Sequence, residues 1–289
     1  MDVNVKLMLV GGVTWPFQCD ADDPILAGLV SALPGAAGQG GSPTDGLIQV
    51  RSRSSSLYVP RSSILAVEIE GLEAAVGTPP TQHPRSLPQV PSGMAVPAPM
   101  VLVQHPLPKE LHSELLDQTI AREASFSVAG VSTGDDDYRR ARVAFDFPLK
   151  ARVEQMLMEH VRNSYALLDL PRPQRESLET HLTTSNDGDF YRAHNDSGSE
   201  QVADRLVTYV YYFHRRPKAF SGGELRLYDC RIEAGEWRAS EGFRDVEPSD
   251  NSMVIFPSWV IHEILPVRCP TRAFGDGRFT VNGWIRGTG

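Results

Sequence analysis

Only three cysteines stand in 289 residues, Cys19, Cys230 and Cys269, and no two share a Cys-x-x-Cys spacing. An odd, scattered set of this kind argues against a disulfide framework or a zinc ribbon and predicts reduced thiols. No stretch approaches the roughly 18 to 20 consecutive apolar residues of a membrane helix. The opening Met1-Asp2-Val3-Asn4 lacks the basic start and apolar core of a secretory signal. The expected location is therefore the cytoplasm, with no membrane partner. Runs of Lys and Arg are missing as well. Residues 1–77 hold four basic and eight acidic side chains, and the whole chain carries a formal charge of -8. A nucleic-acid backbone rewards dense cationic surface, so nucleic acid is not an expected partner. Histidine is absent before His83, and residues 1–77 show no catalytic constellation.

What is present begins with 41% hydrophobic residues, enough for a core and incompatible with wholesale disorder. Nine of the 22 prolines fall between Pro79 and Pro108. That cluster divides the chain into a small N-terminal unit over 1–77, a proline-rich linker over 78–99 and a larger domain over 100–289. In the first part Val3, Val5, Leu7 and Leu9 alternate with other residues as in a half-buried strand. Asp23-Pro24 caps a short helix over Ile25–Leu33, a glycine-rich loop covers 34–46, and strands follow over Leu47–Arg51, Ser56–Val59 and Ile64–Ile69. This small α+β unit reads as a structural or interaction module.

The larger part opens with two helical patterns. One starts at Pro108 and runs through Arg122, with Leu111, Leu115 and Ile120 on one face. The other starts at Pro148 and runs to about Leu168, with Val153, Met156, Leu157, His160 and Val161. Strand-like segments then follow at Leu178–Thr184, Asp189–Ala193, Arg205–Phe213, Glu224–Tyr228, Ser252–Phe256, Val260–Val267 and Arg278–Ile285. Two helices followed by about seven strands predict an α+β domain built around a barrel or sandwich.

The strongest chemistry lies in Phe190-Tyr191-Arg192-Ala193-His194-Asn195-Asp196. His194 and Asp196 are two apart, so both project to one face of an extended segment. His262 sits 68 residues later in Trp259-Val260-Ile261-His262-Glu263-Ile264-Leu265. Two imidazoles and one carboxylate form a facial triad that leaves three octahedral positions open on Fe(II). Zinc accepts the same ligands, so the set alone does not select the metal. His-x-Asp is a weak signal by itself, and a lone strand histidine often only packs. The ordered whole is stronger, because Arg278-Phe279-Thr280-Val281-Asn282-Gly283-Trp284 follows. A permanently charged guanidinium near a metal site suits a dicarboxylate.

Residues from about Glu179 to Arg286 resemble the Fe(II)- and 2-oxoglutarate-dependent oxygenases of the prolyl 4-hydroxylase-like branch. The resemblance rests on Tyr191-x-x-His194-x-Asp196, Arg205-Leu206-Val207-Thr208-Tyr209-Val210-Tyr211-Tyr212, Gly222-Gly223-Glu224-Leu225-Arg226-Leu227, the His262 segment, and Arg278 with Trp284. It implies a double-stranded β-helix, or jelly roll, with packed helices. It implies His194, Asp196 and His262 as iron ligands and Arg278 as the anchor for the distal carboxylate of 2-oxoglutarate. Tyr191, Thr208, Tyr212 and Leu225 match positions lining that cosubstrate's pocket, and Trp284 matches a wall behind the iron. Tyr211 and Tyr212 also suit plain strand packing.

The position of the basic residue is a departure, since relatives often carry it about ten residues after the second histidine, which is Arg272 here. The better local match is Arg278, leaving Cys269–Gly277 as an inserted loop with a Gly275-Asp276-Gly277 turn. An Arg-x5-Arg pair also occurs in the nucleic-acid demethylase branch, but the residues between do not follow that pattern.

The implied reaction consumes O2 and 2-oxoglutarate, hydroxylates an unactivated C–H, and releases succinate and CO2, with ascorbate as a candidate reductant. Halogenating relatives lack the carboxylate, so Asp196 points to hydroxylation. Members of this branch act on peptidyl proline, free amino acids and small natural products, so a small-molecule or peptide substrate is expected. Arg192 and Asn195 flank the ligands, and the polar segments Ser132–Asp137 and Ser197–Asp204 are candidate lids. The competing expectation is a jelly roll that binds metal and ligand without turnover.

Overall fold

The computed structural model describes residues 95–129 and 138–288, together with the backbone of five earlier strands. Those strands are β1 (Asp2–Leu9), β2 (Thr14–Asp20), β3 (Leu47–Arg51), β4 (Ser55–Pro60) and β5 (Ile64–Ile69). The expected helix over Ile25–Leu33, the glycine-rich loop, linker residues 78–94 and the Ser132–Asp137 loop lie outside the described residues. Next come β6 (Val101–Gln104), helix α1 (Lys109–Ile120), β7 (Ser127–Val128), β8 (Arg139–Arg140), β9 (Arg142–Ala144) and helix α2 (Lys150–Ser164). The remaining strands are β10 (Arg175–Ser185), β11 (Phe190–His194), β12 (Arg205–Phe213), β13 (Ser221–Gly222), β14 (Leu225–Glu233), β15 (Glu236–Val246), β16 (Ser252–Pro257), β17 (His262–Ile264), β18 (Val267–Arg268) and β19 (Arg278–Thr288).

Two antiparallel sheets form the jelly roll. The major sheet runs β3-β4-β6-β16-β12-β19-β10-β9-β7 and the minor sheet β15-β14-β17-β11-β8. Its central strands are buried on both faces, which is why Arg205–Phe213 reads as a nearly continuous apolar run. Along β12, Val207, Tyr209, Tyr211 and Phe213 join the core under the helices, whereas Val210 and Tyr212 join the core between the sheets. The same two-residue alternation sends Phe279, Val281 and Ile285 of β19 to the helices. It leaves Arg278, Thr280, Asn282 and Trp284 on the cavity side.

The helices cover the major sheet with period-3.6 faces: Leu111 and Leu115 from α1, and Val153, Leu157 and Val161 from α2. Met158, rather than Met156, fills the buried stripe of α2, and His160 is only half-buried. Pro108 occupies the N-cap of α1. At α2, Leu149 takes that place in a left-handed conformation (φ 63°), so the helix begins two residues after Pro148.

The end of the proline-rich stretch is held rather than loose. Val96 exchanges backbone hydrogen bonds with Cys230 of β14 at 2.7 and 2.9 Å, and Ala98 and Met100 are buried between the sheets. Next to them, β4 pairs antiparallel with β6, Leu57 opposite Val101. β1 lies between β2 and β5 in a separate three-stranded sheet. Pro16 sits on the edge strand β2 of that sheet, where a missing N–H is tolerated. The segment Val260–Val267, expected as one strand, is divided into β17 and β18, with β18 paired to β13 in a small ribbon. Among the described residues no helix is long and apolar enough to cross a membrane.

Candidate metal and cosubstrate site

His194 ends β11 and His262 begins β17, and the two are direct partners in the antiparallel ladder. Their rings lie 4.3 Å apart, centroid to centroid. Asp196 follows β11 by two residues and is fixed there by its backbone N–H, which donates to the Ser258 carbonyl at 2.9 Å. Its carboxylate reaches both imidazoles, with Oδ1 3.8 Å from His194 Nε2 and Oδ2 3.5 Å from His262 Nε2. One ligand atom from each residue falls within 4.8 Å of the others.

The orientation of each ring is set by backbone. His194 Nδ1 is 2.7 Å from the Arg192 carbonyl and His262 Nδ1 is 2.9 Å from the Val260 carbonyl. A carbonyl only accepts, so each Nδ1 carries its proton and each Nε2 offers a lone pair to the shared centre. Burial, and then the adjacent His262, push the His194 imidazole well below its ordinary pKa, which keeps it neutral. For Asp196, burial alone raises the carboxyl. The facing His262 and His194 rings, with the 2.8 Å hydrogen bond from Thr208 Oγ1, outweigh it and lower the carboxyl's pKa. Two imidazoles with Nε2 turned inward and a carboxylate, all facing one point, fit a divalent metal.

The same cavity, of about 600 Å³, contains Arg278. Arg278 is 2% exposed, and its Nε and Nη2 have no hydrogen-bond partner. Its Cζ lies 5.0 Å from the centroid of the Tyr212 ring. A buried guanidinium without an anion is costly, so the arrangement suits a bound carboxylate. Thr280 adds a buried hydroxyl, also without a partner. The room for Arg278 comes from Gly222-Gly223, both at positive φ. A β-carbon on Gly223 would stand 2.8 Å from Arg278 Cδ and 2.8 Å from Val267 Cγ2.

Tyr191, Thr208, Leu225 and Trp284 line this cavity along with the triad. The Tyr191 ring stacks on His194 at 3.7 Å. Tyr212 stands behind Arg278, fully buried, rather than on the cavity wall. Tyr211 turns away and hydrogen-bonds His112 and Asn251 under the helices. Arg272 is exposed, at φ 54°, and pairs with Asp187 at 3.0 Å. The loop before β19 carries a short 3-10 turn, Phe274–Asp276. Arg192 and Asn195 are not among the cavity residues. Arg139 on β8 and His181 on β10 also line the cavity and belong to none of the sequence motifs. His181 stands among the polar residues of β10, which hide it.

Residues 180–286, which include the triad and Arg278, match the family described as the 2OG-Fe(II) oxygenase superfamily. A curated relative, an uncharacterized PKHD-type hydroxylase of Synechocystis sp., is 38% identical over 183 residues. The match covers 62% of this chain and 60% of the relative, so the chain spans well under two thirds of that protein's length. Among solved structures, a prolyl hydroxylase from Trichoplax adhaerens, in complex with a hypoxia inducible factor peptide fragment, has a TM-score of 0.50 at 15% identity. That match covers 65% of this chain and 83% of the other, and at that identity the likeness speaks for the fold. A Pseudomonas putida prolyl-4-hydroxylase gives a TM-score of 0.47 at 24% identity, covering 66% of this chain and 94% of the other.

Proposed function

We propose that this oxygenase domain hydroxylates an unactivated C–H of an amino acid, a peptidyl residue such as proline, or a small natural product. The observation that carries the reading is a single cavity in which a His194–Asp196–His262 triad lies beside the buried, anion-less Arg278. His194, Asp196 and His262 hold Fe(II), and Arg278 holds the distal carboxylate of 2-oxoglutarate. When bound, the metal and cosubstrate supply the oxidation: one atom of O2 enters succinate as 2-oxoglutarate loses CO2, and the other converts C–H to C–OH.

The chain's own residues orient and exclude. The Arg192 and Val260 carbonyls fix the ring tautomers, and Thr208 Oγ1 donates to Asp196 and holds the carboxylate in place. Tyr191 and Trp284 wall the cavity with aromatic surface, which restricts water at the reacting centre. Thr280 gives the cosubstrate a hydroxyl partner beside Arg278. The carboxylate at Asp196 favours hydroxylation over halogenation, and ascorbate serves as the reductant that keeps the metal ferrous.

Equilibrium binding of Mn(II) and 2-oxoglutarate to the full chain, followed by substrate-dependent succinate release with Fe(II) and O2, tests the reading. Binding of both, with one succinate per product gaining one oxygen atom, is expected. Failure to bind either ligand overturns it, and binding without turnover of any substrate would leave a ligand-binding jelly roll.

A further inference from the structure

The cavity holds a second guanidinium that this reading leaves without a task. Arg139 on β8 lines the cavity with the triad. Its Cζ lies 4.7 Å from the centroid of Tyr191, which also stacks on the ring of His194. Cation, phenol and metal-side imidazole thus form one layered column beside the triad. Arg139 Nε is buried and has no hydrogen-bond partner, and the carboxylate whose charge acts on it is Asp196 of the triad.

The other cations of the cavity are engaged or assigned. Lys150 donates to the Phe145 carbonyl at 3.0 Å. Arg205 donates from Nε to Glu179 at 2.9 Å and lies over the Trp284 ring. Arg278 begins β19, and Trp284 stands six residues along the same face, roughly 20 Å away on an extended strand. Arg139 belongs to the Trp284 end, because its charge acts on His181 and His181 packs on Trp284 with centroids 5.2 Å apart. His181 Nε2 is also buried without a partner. Burial holds the His181 imidazole neutral, pushed down to about 3, so it adds no competing charge. The end of the cavity away from Arg278 thus offers a guanidinium and one further polar group, His181 Nε2, for a ligand.

We propose that Arg139 is a specificity residue that binds a carboxylate of the substrate, so that the substrate is a carboxylic acid rather than a neutral peptide segment. A free amino or organic acid and a carboxylate borne by a peptide share this chemistry. The inference rests on the oxygenase reading above, in which Arg278 is occupied by the cosubstrate. A permanent cation desolvated by a neighbouring aromatic ring is worth most against an ionised partner and little against an amide.

The test uses the full chain with Fe(II), 2-oxoglutarate and O2, reading succinate and the product that gains one oxygen atom. The probes are the free L-amino acids, their carboxamides, and peptides capped at both ends with or without Asp and Glu. Turnover of a free acid, with kcat/KM at least about 100-fold lower for its carboxamide, is expected. Turnover confined to the acidic capped peptides would assign the carboxylate to a peptide instead. Arg139→Gln should remove the preference by raising KM for the acid while leaving the carboxamide nearly unchanged, and Arg139→Lys should restore part of it. Mn(II) and 2-oxoglutarate affinities should be the same in wild type and both variants, which also reports that they fold. Turnover of neutral capped peptides alone, no turnover of any acid, or equal losses on acid and carboxamide in Arg139→Gln overturns the proposal. Loss of 2-oxoglutarate binding in Arg139→Gln overturns it too, by assigning Arg139 to the cosubstrate. Failure of wild type to bind Mn(II) and 2-oxoglutarate is the separate result that sinks the oxygenase reading itself.

Discussion

His194 stands directly opposite His262 across the β11–β17 ladder, with ring centroids 4.3 Å apart. Residues 68 positions apart in sequence thus become adjacent through strand register alone. Both rings are pre-set by backbone carbonyls, so each contributes an Nε2 lone pair without rearrangement. His194→Ala and His262→Ala should each weaken Mn(II) binding by at least about 100-fold, measured by calorimetry. Unchanged metal affinity in either variant would remove that residue from the ligand set.

Asp196 separates two outcomes of the same site. Asp196→Gly removes the carboxylate and should abolish hydroxylation, because the metal loses a charged ligand and Thr208 its acceptor. Product formation with iron quantified in parallel decides the matter, and undiminished turnover would show that this carboxylate is not required.

Gly223 should govern cosubstrate affinity without touching it. At φ +73° an L-residue is strained, and its β-carbon would meet Arg278 Cδ at 2.8 Å. Gly223→Ala should raise the KM for 2-oxoglutarate about tenfold or more and destabilise the fold by about 1–3 kcal/mol, while Mn(II) affinity holds. Equal KM values in wild type and variant would show that Arg278 does not need this space.

Acid stability should depend on Asp250. His112 Nε2 lies 3.1 Å from its Oδ1, Arg216 Nε donates to its Oδ2 at 2.7 Å, and the His214 N–H donates at 3.1 Å. Burial raises the carboxyl, but these donors outweigh it and hold its pKa well below the ordinary value. The folded pKa is depressed, so the stabilisation is complete above the unfolded pKa of about 4 and is lost as pH falls below it. Asp250→Asn should cost about 2 kcal/mol at neutral pH, and the gap should narrow below pH 4. Denaturant melts at pH 7 and pH 3 check this. A gap that widens with acid would contradict the assignment.

Much of the site was legible because its residues fall on alternating strand positions. Arg278, Thr280, Asn282 and Trp284 face the cavity while Phe279, Val281 and Ile285 face the helices, and that pattern is visible in the letters. The choice between Arg278 and Arg272 needed three dimensions, since only burial separates them. β15 escaped detection because Glu236, Arg238, Glu241, Arg244 and Asp245 interrupt any apolar alternation. It is held by pairing with β14 rather than by a buried face of its own. β2 was hidden by Pro16, which argues against a central strand but not against an edge. Arg139 was hidden by its local context, because three consecutive aspartates before Tyr138 look like a solvated loop. Only the pairing of Arg139 opposite Tyr191 brings it to the cavity.

The N-terminal segment bears on solubility through one ladder. β6 pairs on one side with β16 and on the other with β4, and its Val101 and Val103 are buried. Removing residues 1–77 strips β4 from β6 and leaves an apolar strand with unpaired N–H and C=O groups, a template for edge-to-edge association. The triad and Arg278 lie on other strands, and the Val96–Cys230 bridge that ties the chain to β14 remains. The truncated protein should therefore bind Mn(II) with wild-type affinity while self-associating in a concentration-dependent way, read by light scattering. Replacing Leu102 with Lys in the truncated chain should reduce that association by placing a charge on the exposed edge. A monodisperse truncated monomer would show that β6 needs no cover. Loss of metal binding would instead show that the triad depends on β3 and β4, the strands that the first 77 residues add to the major sheet.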